Sequence, residues 1–316
     1  MATMQGTKTH FLPIELVELI VLYLPLKVRF SVAVHLRLLS IRNKCIPLLE
    51  YASMDYASKK GQVDLLTWWR DISLECKWSI KAMTWASENG HVNVLEWWKN
   101  SSLECKWSED AIDCASANEH NHVLQWWKNS GLECKWSLFA MDWTSRNGHV
   151  DVLEWWKTSG LECRWSNNAM NWASEHGHID VLEWWKNSGL ECKWSNDAMD
   201  YASRNGYVDV LEWWKNSCLE CKWSKYSMNS ASSKGHTQVL DWWKNSGLEC
   251  KWSKAAMNCA SDQGHVYVLE WWKNSGLECR WSGNAMEWAW QRGHDRVLDW
   301  WEQSGFNLSI CNPSIK

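Results

Sequence analysis

Residues 79–107 read SIKAMTWASENGHVNVLEWWKNSSLECKW, and the chain repeats this stretch, with substitutions, along most of its 316 residues. The double tryptophan sets the register. It recurs at Trp68-Trp69, Trp97-Trp98, Trp126-Trp127, Trp155-Trp156, Trp184-Trp185, Trp213-Trp214, Trp242-Trp243, Trp271-Trp272 and Trp300-Trp301, always 29 residues on and without slippage. A fixed period of about 20–50 residues is the mark of stacked repeats. The expected fold class is therefore all-α, an α-solenoid of nine helix-turn-helix repeats.

Within one repeat the local signals agree. Ser79 stands where a helix N-cap is needed, and serine holds the same place at 108, 137, 166, 195, 224, 253 and 282; its hydroxyl can accept from a free first-turn amide. Helix A is predicted over Ile80–Asn89, stopped by Gly90 as a left-handed C′ residue. Helix B is predicted over Val92–Asn100, closed by Ser101-Ser102, and Leu103–Trp107 links to the next cap. On helix A, Ala82, Met83 and Ala86 share a side, small enough for close helix approach, with Met filling gaps. On helix B, Val94, Leu95, Trp97 and Trp98 form an apolar arc, with Glu96, Lys99 and Asn100 opposite. One repeat alone cannot cover such faces, so its neighbours must.

Composition narrows the function. The formal net charge of −4 gives no support for binding nucleic acid phosphates. No run of 18 or more apolar residues exists to span a membrane, and Glu15 and Glu18 interrupt the apolar Phe11–Leu24 segment that would otherwise suggest a leader. An intracellular, cytoplasmic setting is expected, with the nucleus left open. Eight of the 13 cysteines, Cys76, Cys105, Cys134, Cys163, Cys192, Cys221, Cys250 and Cys279, share one position of the repeat. Equivalent positions of stacked helices lie about 8–10 Å apart, beyond the roughly 7 Å that a disulfide spans. They read as small packing residues. His91, His120, His149, His178, His236, His265 and His294 also share one position, where Gln62 and Tyr207 substitute, so they read as partners of backbone groups at the A–B turn. No metal site, cofactor or enzymatic motif is expected. The 31 tryptophans read chiefly as core, each burying on the order of 150–250 Å².

The stretch GHVDVLEWWKTSGLE, Gly148 to Glu162, resembles the second half of the ankyrin repeat, GHxxIVxxLLxxGAD, and Ala86-Ser87 resembles that family's Ala-Ala. The likeness covers about residues 50–306. These repeats are four residues shorter than the usual 33, and the gap falls where the family places its β-hairpin finger; the Thr-Pro-Leu-His opening is also absent. The resemblance, which extends to Trp-rich arrays of chytrid fungi, implies a finger-less, all-helical stack that binds other proteins.

Residues 11–49 lie outside the register, after a disordered 1–10. Leu12-Pro13-Ile14-Glu15-Leu16, Leu19-Ile20 and Tyr23-Leu24-Pro25 resemble the first half of an F-box, which docks on the adaptor of a cullin-type ubiquitin ligase. By that resemblance Leu12, Pro13, Leu16 and Ile20 would meet the adaptor. The same residues serve equally as a helical cap over the first repeat. Repeats fill 50–306 and a tail follows at 307–316, with Phe306–Ile310 replacing the usual link.

Comparing the copies locates the variable surface. Helix B and the link are nearly verbatim, whereas helix A varies at the places of Ile80, Lys81, Thr84, Trp85, Glu88 and Asn89. A stripe through positions 81, 84 and 88 is expected to face outward and bind a protein partner. Its candidate residues are Lys81, Thr84, Glu88, Asp110, Leu138, Phe139, Arg146, Asn168, Asp197, Arg204 and Tyr226, with the large apolar ones as anchors. Two rival readings stand beside it: a plain structural or effector array without a ligase link, and a nucleic-acid-reading helical repeat. Against the second, each Lys or Arg of the link follows a Glu by two residues, which cancels most of its attraction for phosphate.

Overall fold

The computed structural model describes residues 53–71 and 78–307. The segment at 11–49 with Leu12, Pro13, Leu16 and Ile20, Cys76, and the tail from 308 onward lie outside the described residues. Those residues form eighteen helices and no strand. The helix A series is α1 (Met54–Lys59), α3 (Lys81–Glu88), α5 (Asp110–Ala117), α7 (Phe139–Arg146), α9 (Asn168–Glu175), α11 (Asp197–Asn205), α13 (Tyr226–Lys234), α15 (Ala255–Asp262) and α17 (Asn284–Gln291). The helix B series is α2 (Val63–Asp71), α4 (Val92–Asn100), α6 (Asn121–Asn129), α8 (Val150–Thr158), α10 (Ile179–Asn187), α12 (Val208–Asn216), α14 (Thr237–Asn245), α16 (Val266–Asn274) and α18 (Asp295–Gln303). The chain divides into two compact blocks after Ala111. In the first, α1 packs on α3; in the second, α7, α9, α11, α13, α15 and α17 pack in succession, each also against its own helix B.

The sequence signals act as expected. Ile80 is already helical, at φ −54°, so Ser79 is the effective cap; its Oγ accepts from the Lys81 amide at 3.1 Å. Gly206 closes α11 at φ +85°, a conformation that costs a side chain about 1–2 kcal/mol. Beside that turn sits the ring of His236: a Cβ on Gly206 would stand 3.0 Å from it. The histidines do satisfy turn backbone, and the carbonyl they reach belongs to the preceding repeat: His91 Nε2 lies 3.2 Å from Lys59 O, and His294 Nε2 lies 3.0 Å from Asp262 O. They therefore bind repeat to repeat.

Two hydrogen-bond systems hold the stack. The second tryptophan of the pairs from Trp98 onward is fully enclosed, and in seven of them its indole N–H donates into helix A of the repeat before. Trp214 Nε1 donates to Ser174 Oγ at 3.0 Å, and Ser174 Oγ donates to Met170 O at 2.8 Å. The same relay joins Trp98 to Ser58, Trp156 to Ser116, Trp185 to Ser145, Trp243 to Ser203, Trp272 to Ser232 and Trp301 to Ser261. The second system is a clasp on the capping serine. Asp142 takes the Ser166 N–H and O–H, at 2.9 and 2.5 Å. Asn171 holds Ser195 likewise, accepting its N–H at 3.0 Å and donating Nδ2 to its Oγ at 2.8 Å. Burial pushes the Asp142 carboxyl up, against the pull of Ser166 and Lys193; Asn171, Asn229 and Asn258 perform the same task without charge.

The links add a third ladder. Trp165 lies 5.4 Å from Trp185, donates Nε1 to Glu191 O at 3.1 Å, and carries the Lys193 ammonium 4.6 Å from its ring centroid. In the last repeat Phe306 replaces the next link, packing 4.6 Å from Trp281. There Glu287 stands in place of the clasp Asp or Asn, and Trp290 in place of the relay serine, both exposed.

The relay predicts a measurable coupling. Ser174→Ala should cost about 1–3 kcal/mol, the penalty of a buried N–H without acceptor. In a Trp214→Phe background the same change should cost at least ~1 kcal/mol less. Equal losses in both backgrounds, measured by urea denaturation, would show that the serine matters only as filling.

Candidate functional site

Helix geometry decides which side chains of helix A reach the surface. At about 100° per residue, positions 81, 85 and 88 fall within roughly 60° of each other, opposite Ala82, Met83 and Ala86. Position 84 lies at the border of this arc, beside the position of Ser87, which is buried.

The structure corrects the stripe at that edge. Thr84 is half-buried and its Oγ1 is enclosed without a partner. Its counterparts Asp113, Asp142, Asn171, Asp200 and Asn258 are buried clasp residues. Position 84 therefore belongs to the joint between repeats, and position 85 takes its place on the surface. The helical wheel does not separate the two, since 84 and 85 each lie roughly 50° from the mean direction of 81 and 88. Variability misled because position 84 alternates among Thr, Asp, Asn and Glu, as a solvated position does.

The other candidates fall as follows. In the first block Lys81 and Asp110 are exposed and Glu88 is half-buried. In the second block Leu138, Phe139 and Tyr226 are 38%, 39% and 42% exposed, large apolar groups held at the start of their helices. Arg146 is exposed, whereas Asn168, Asp197 and Arg204 are half-buried. Between them run Trp143, Trp172 and Tyr201, half-buried on the successive helices α7, α9 and α11. Phe139 stacks on Trp143 with centroids 5.0 Å apart and planes at 19°; Tyr226 meets Tyr201 edge-on at 6.5 Å and 81°. The surface is thus an aromatic lane rather than two isolated anchors. Burial, followed by Asp197 and Glu175, holds the Tyr201 hydroxyl pKa above its ordinary value.

The repeated cysteines and histidines of the described residues serve packing and the turns. Cys192 Sγ–H donates to Trp185 O at 3.6 Å, and burial raises its thiol. Burial also lowers His178, His236 and His265. Among the described residues no three His, Cys, Asp or Glu side chains gather as metal ligands. The link lysines stand over tryptophan rings and within reach of their own glutamates, as Lys193 does 3.6 Å from Glu191. The first tryptophan of several pairs also donates back along the stack, as Trp213 Nε1 does to Glu183 at 2.8 Å.

Comparison with known proteins fits this geometry. Residues 170–213 match the family model for ankyrin repeats, spanning α9 to α12 save the ends. Over this part the chain is similar to ankyrin repeats. No curated protein matches it. Ankyrin repeats generally mediate protein–protein interaction, and here the finger-less repeats leave the outer face of helix A as the variable surface. No described helix is long and apolar enough to cross a membrane.

The corrected role of position 84 has a direct test. Ser108 lacks the clasp and donates instead to Asp110 at 3.0 Å. Thr84→Asn should supply the missing amide and stabilise the chain by about 1 kcal/mol, read as a higher unfolding midpoint. A lower midpoint would show that threonine fits that joint better than the clasp does.

Proposed function

We propose that this ankyrin array is a non-enzymatic binding protein that grips a protein partner through the helix A stripe, with the aromatic lane of the second block as its centre. The observation that supports this reading most is the exposure of Leu138, Phe139 and Tyr226 beside Trp143, Trp172 and Tyr201. Aromatic and arginine side chains dominate protein interfaces because they bury large areas at low entropic cost. Arg146, Asn168, Asp197 and Arg204 frame the lane with polar groups that set orientation. In the first block Lys81, Glu88 and Asp110 belong to the same surface type. The proposal places the chain inside the cell, where its cysteines stay reduced.

The F-box resemblance at Leu12, Pro13, Leu16 and Ile20 supports a second element: the array acts as a substrate receptor, with its N-terminal segment on a ubiquitin-ligase adaptor. Without that link the stripe still binds its partner as a plain adaptor array.

Phe139→Ala with Tyr226→Ala should weaken a partner captured from the source organism at least ~30-fold, the loss of two moderate anchors. Unchanged affinity would sink the stripe reading. Co-purification with the ligase adaptor should disappear when Leu12 and Pro13 are replaced by serine; retention would leave the segment as a cap only.

A further inference from the structure

The repeat register lets one part of the chain serve as a template for another. Trp85 and Tyr201 hold the same position, and each is surrounded by three equivalent charged residues. At Trp85 these are Lys59, Lys81 and Glu88; at Tyr201 they are Glu175, Asp197 and Arg204. All three signs are inverted.

In the first block the ammoniums of Lys59 and Lys81 lie 5.1 and 5.4 Å from the Trp85 ring centroid. This position of the repeat therefore accepts a cation on its ring. At Tyr201 both lysine positions carry carboxylates, and among the described residues no cation stands over the ring. Tyr226, 42% exposed, closes the other side edge-on to Tyr201. Asp197 keeps one oxygen on Ser195 Oγ at 3.0 Å and has the other to offer. Arg204 offsets one of the two carboxylates, so the trio retains a net charge of −1.

We propose that Tyr201 and Tyr226, with Glu175 and Asp197, form a subsite for a lysine or arginine side chain of the protein partner. The ammonium or guanidinium occupies the place that Lys59 and Lys81 take over Trp85, its charge met by the two carboxylates. Ring faces attract such cations through their quadrupole, and the stem of the basic side chain lies along the neighbouring apolar lane. The inference rests on the stripe being the binding surface and specifies what that surface reads.

The test uses pools of nine-residue peptides with randomised flanks and a fixed central lysine, arginine, norleucine or glutamate, passed over the immobilised full chain. Lysine and arginine pools should be retained about tenfold better than norleucine, and glutamate least. Glu175→Lys with Asp197→Lys should abolish that preference; the first block already carries this pair, so the repeat accommodates it. Glu175→Gln with Asp197→Asn should reduce the preference while circular dichroism stays unchanged. Equal retention of all pools, or a preference that survives charge reversal, overturns the inference. That result leaves the stripe reading intact, because the Phe139 and Tyr226 variants test it separately. Self-association that the lysine pair abolishes, seen by sedimentation, would assign the subsite to a second copy of the chain and overturn the foreign-partner reading.

Discussion

An indole N–H sealed from water must find an acceptor, and in seven joints within the two blocks the acceptor is a serine one repeat back. Trp214, fully enclosed, reaches Ser174, which discharges its own proton on the Met170 carbonyl. Left unpaired, that N–H would cost about 1–3 kcal/mol at every joint. The bond also ties helix B of one repeat to helix A of the one before, so the two helix series cannot slide independently. The clasp on the capping serine then sets where the next helix A begins, and the histidine at the turn reaches back to the preceding helix end. Cap, stop and core are consequently settled together.

Much of this was legible in the sequence, for a reason specific to repeats. The serine caps, the left-handed glycines, the bounds of helix B and the buried Ala-Met-x-x-Ala face are local features displayed many times over. What stayed hidden were pairings across repeats. Ser87 looked like a substitute for alanine, because nothing in a period of 29 says which tryptophan faces which serine. Thr84 sat on the border of the helical wheel, where one residue's angle separates surface from joint, and its variable identity imitated a solvated position. The link tryptophans and lysines were read as core and as balanced charge; their mutual stacking required the tertiary path of the link.

The candidate surface follows from the same division of labour. Apart from position 84, positions that serve the joints are nearly constant, so most change accumulates where helix A faces outward. There the second block has gathered Phe139, Trp143, Trp172, Tyr201 and Tyr226, rings that no joint requires. The ankyrin likeness supplies the expectation of a protein partner, and the chemistry of these rings and their flanking charges gives that expectation a location. The N-terminal segment contributes an independent proposal, resting on the leucine–proline pattern alone.

Each bond described across a joint connects a repeat only with an adjacent one. Such an array obeys a grammar of neighbours, in which whole words can be copied or dropped without touching the rest of the sentence. Inserting or removing a complete 29-residue segment would leave the relay, clasp and turn bonds of the other joints with their partners. The last repeat differs in sequence, with Glu287 and Trp290 where the others carry the clasp and relay residues. Each inserted copy would bring a fresh helix A on which recognition could diverge.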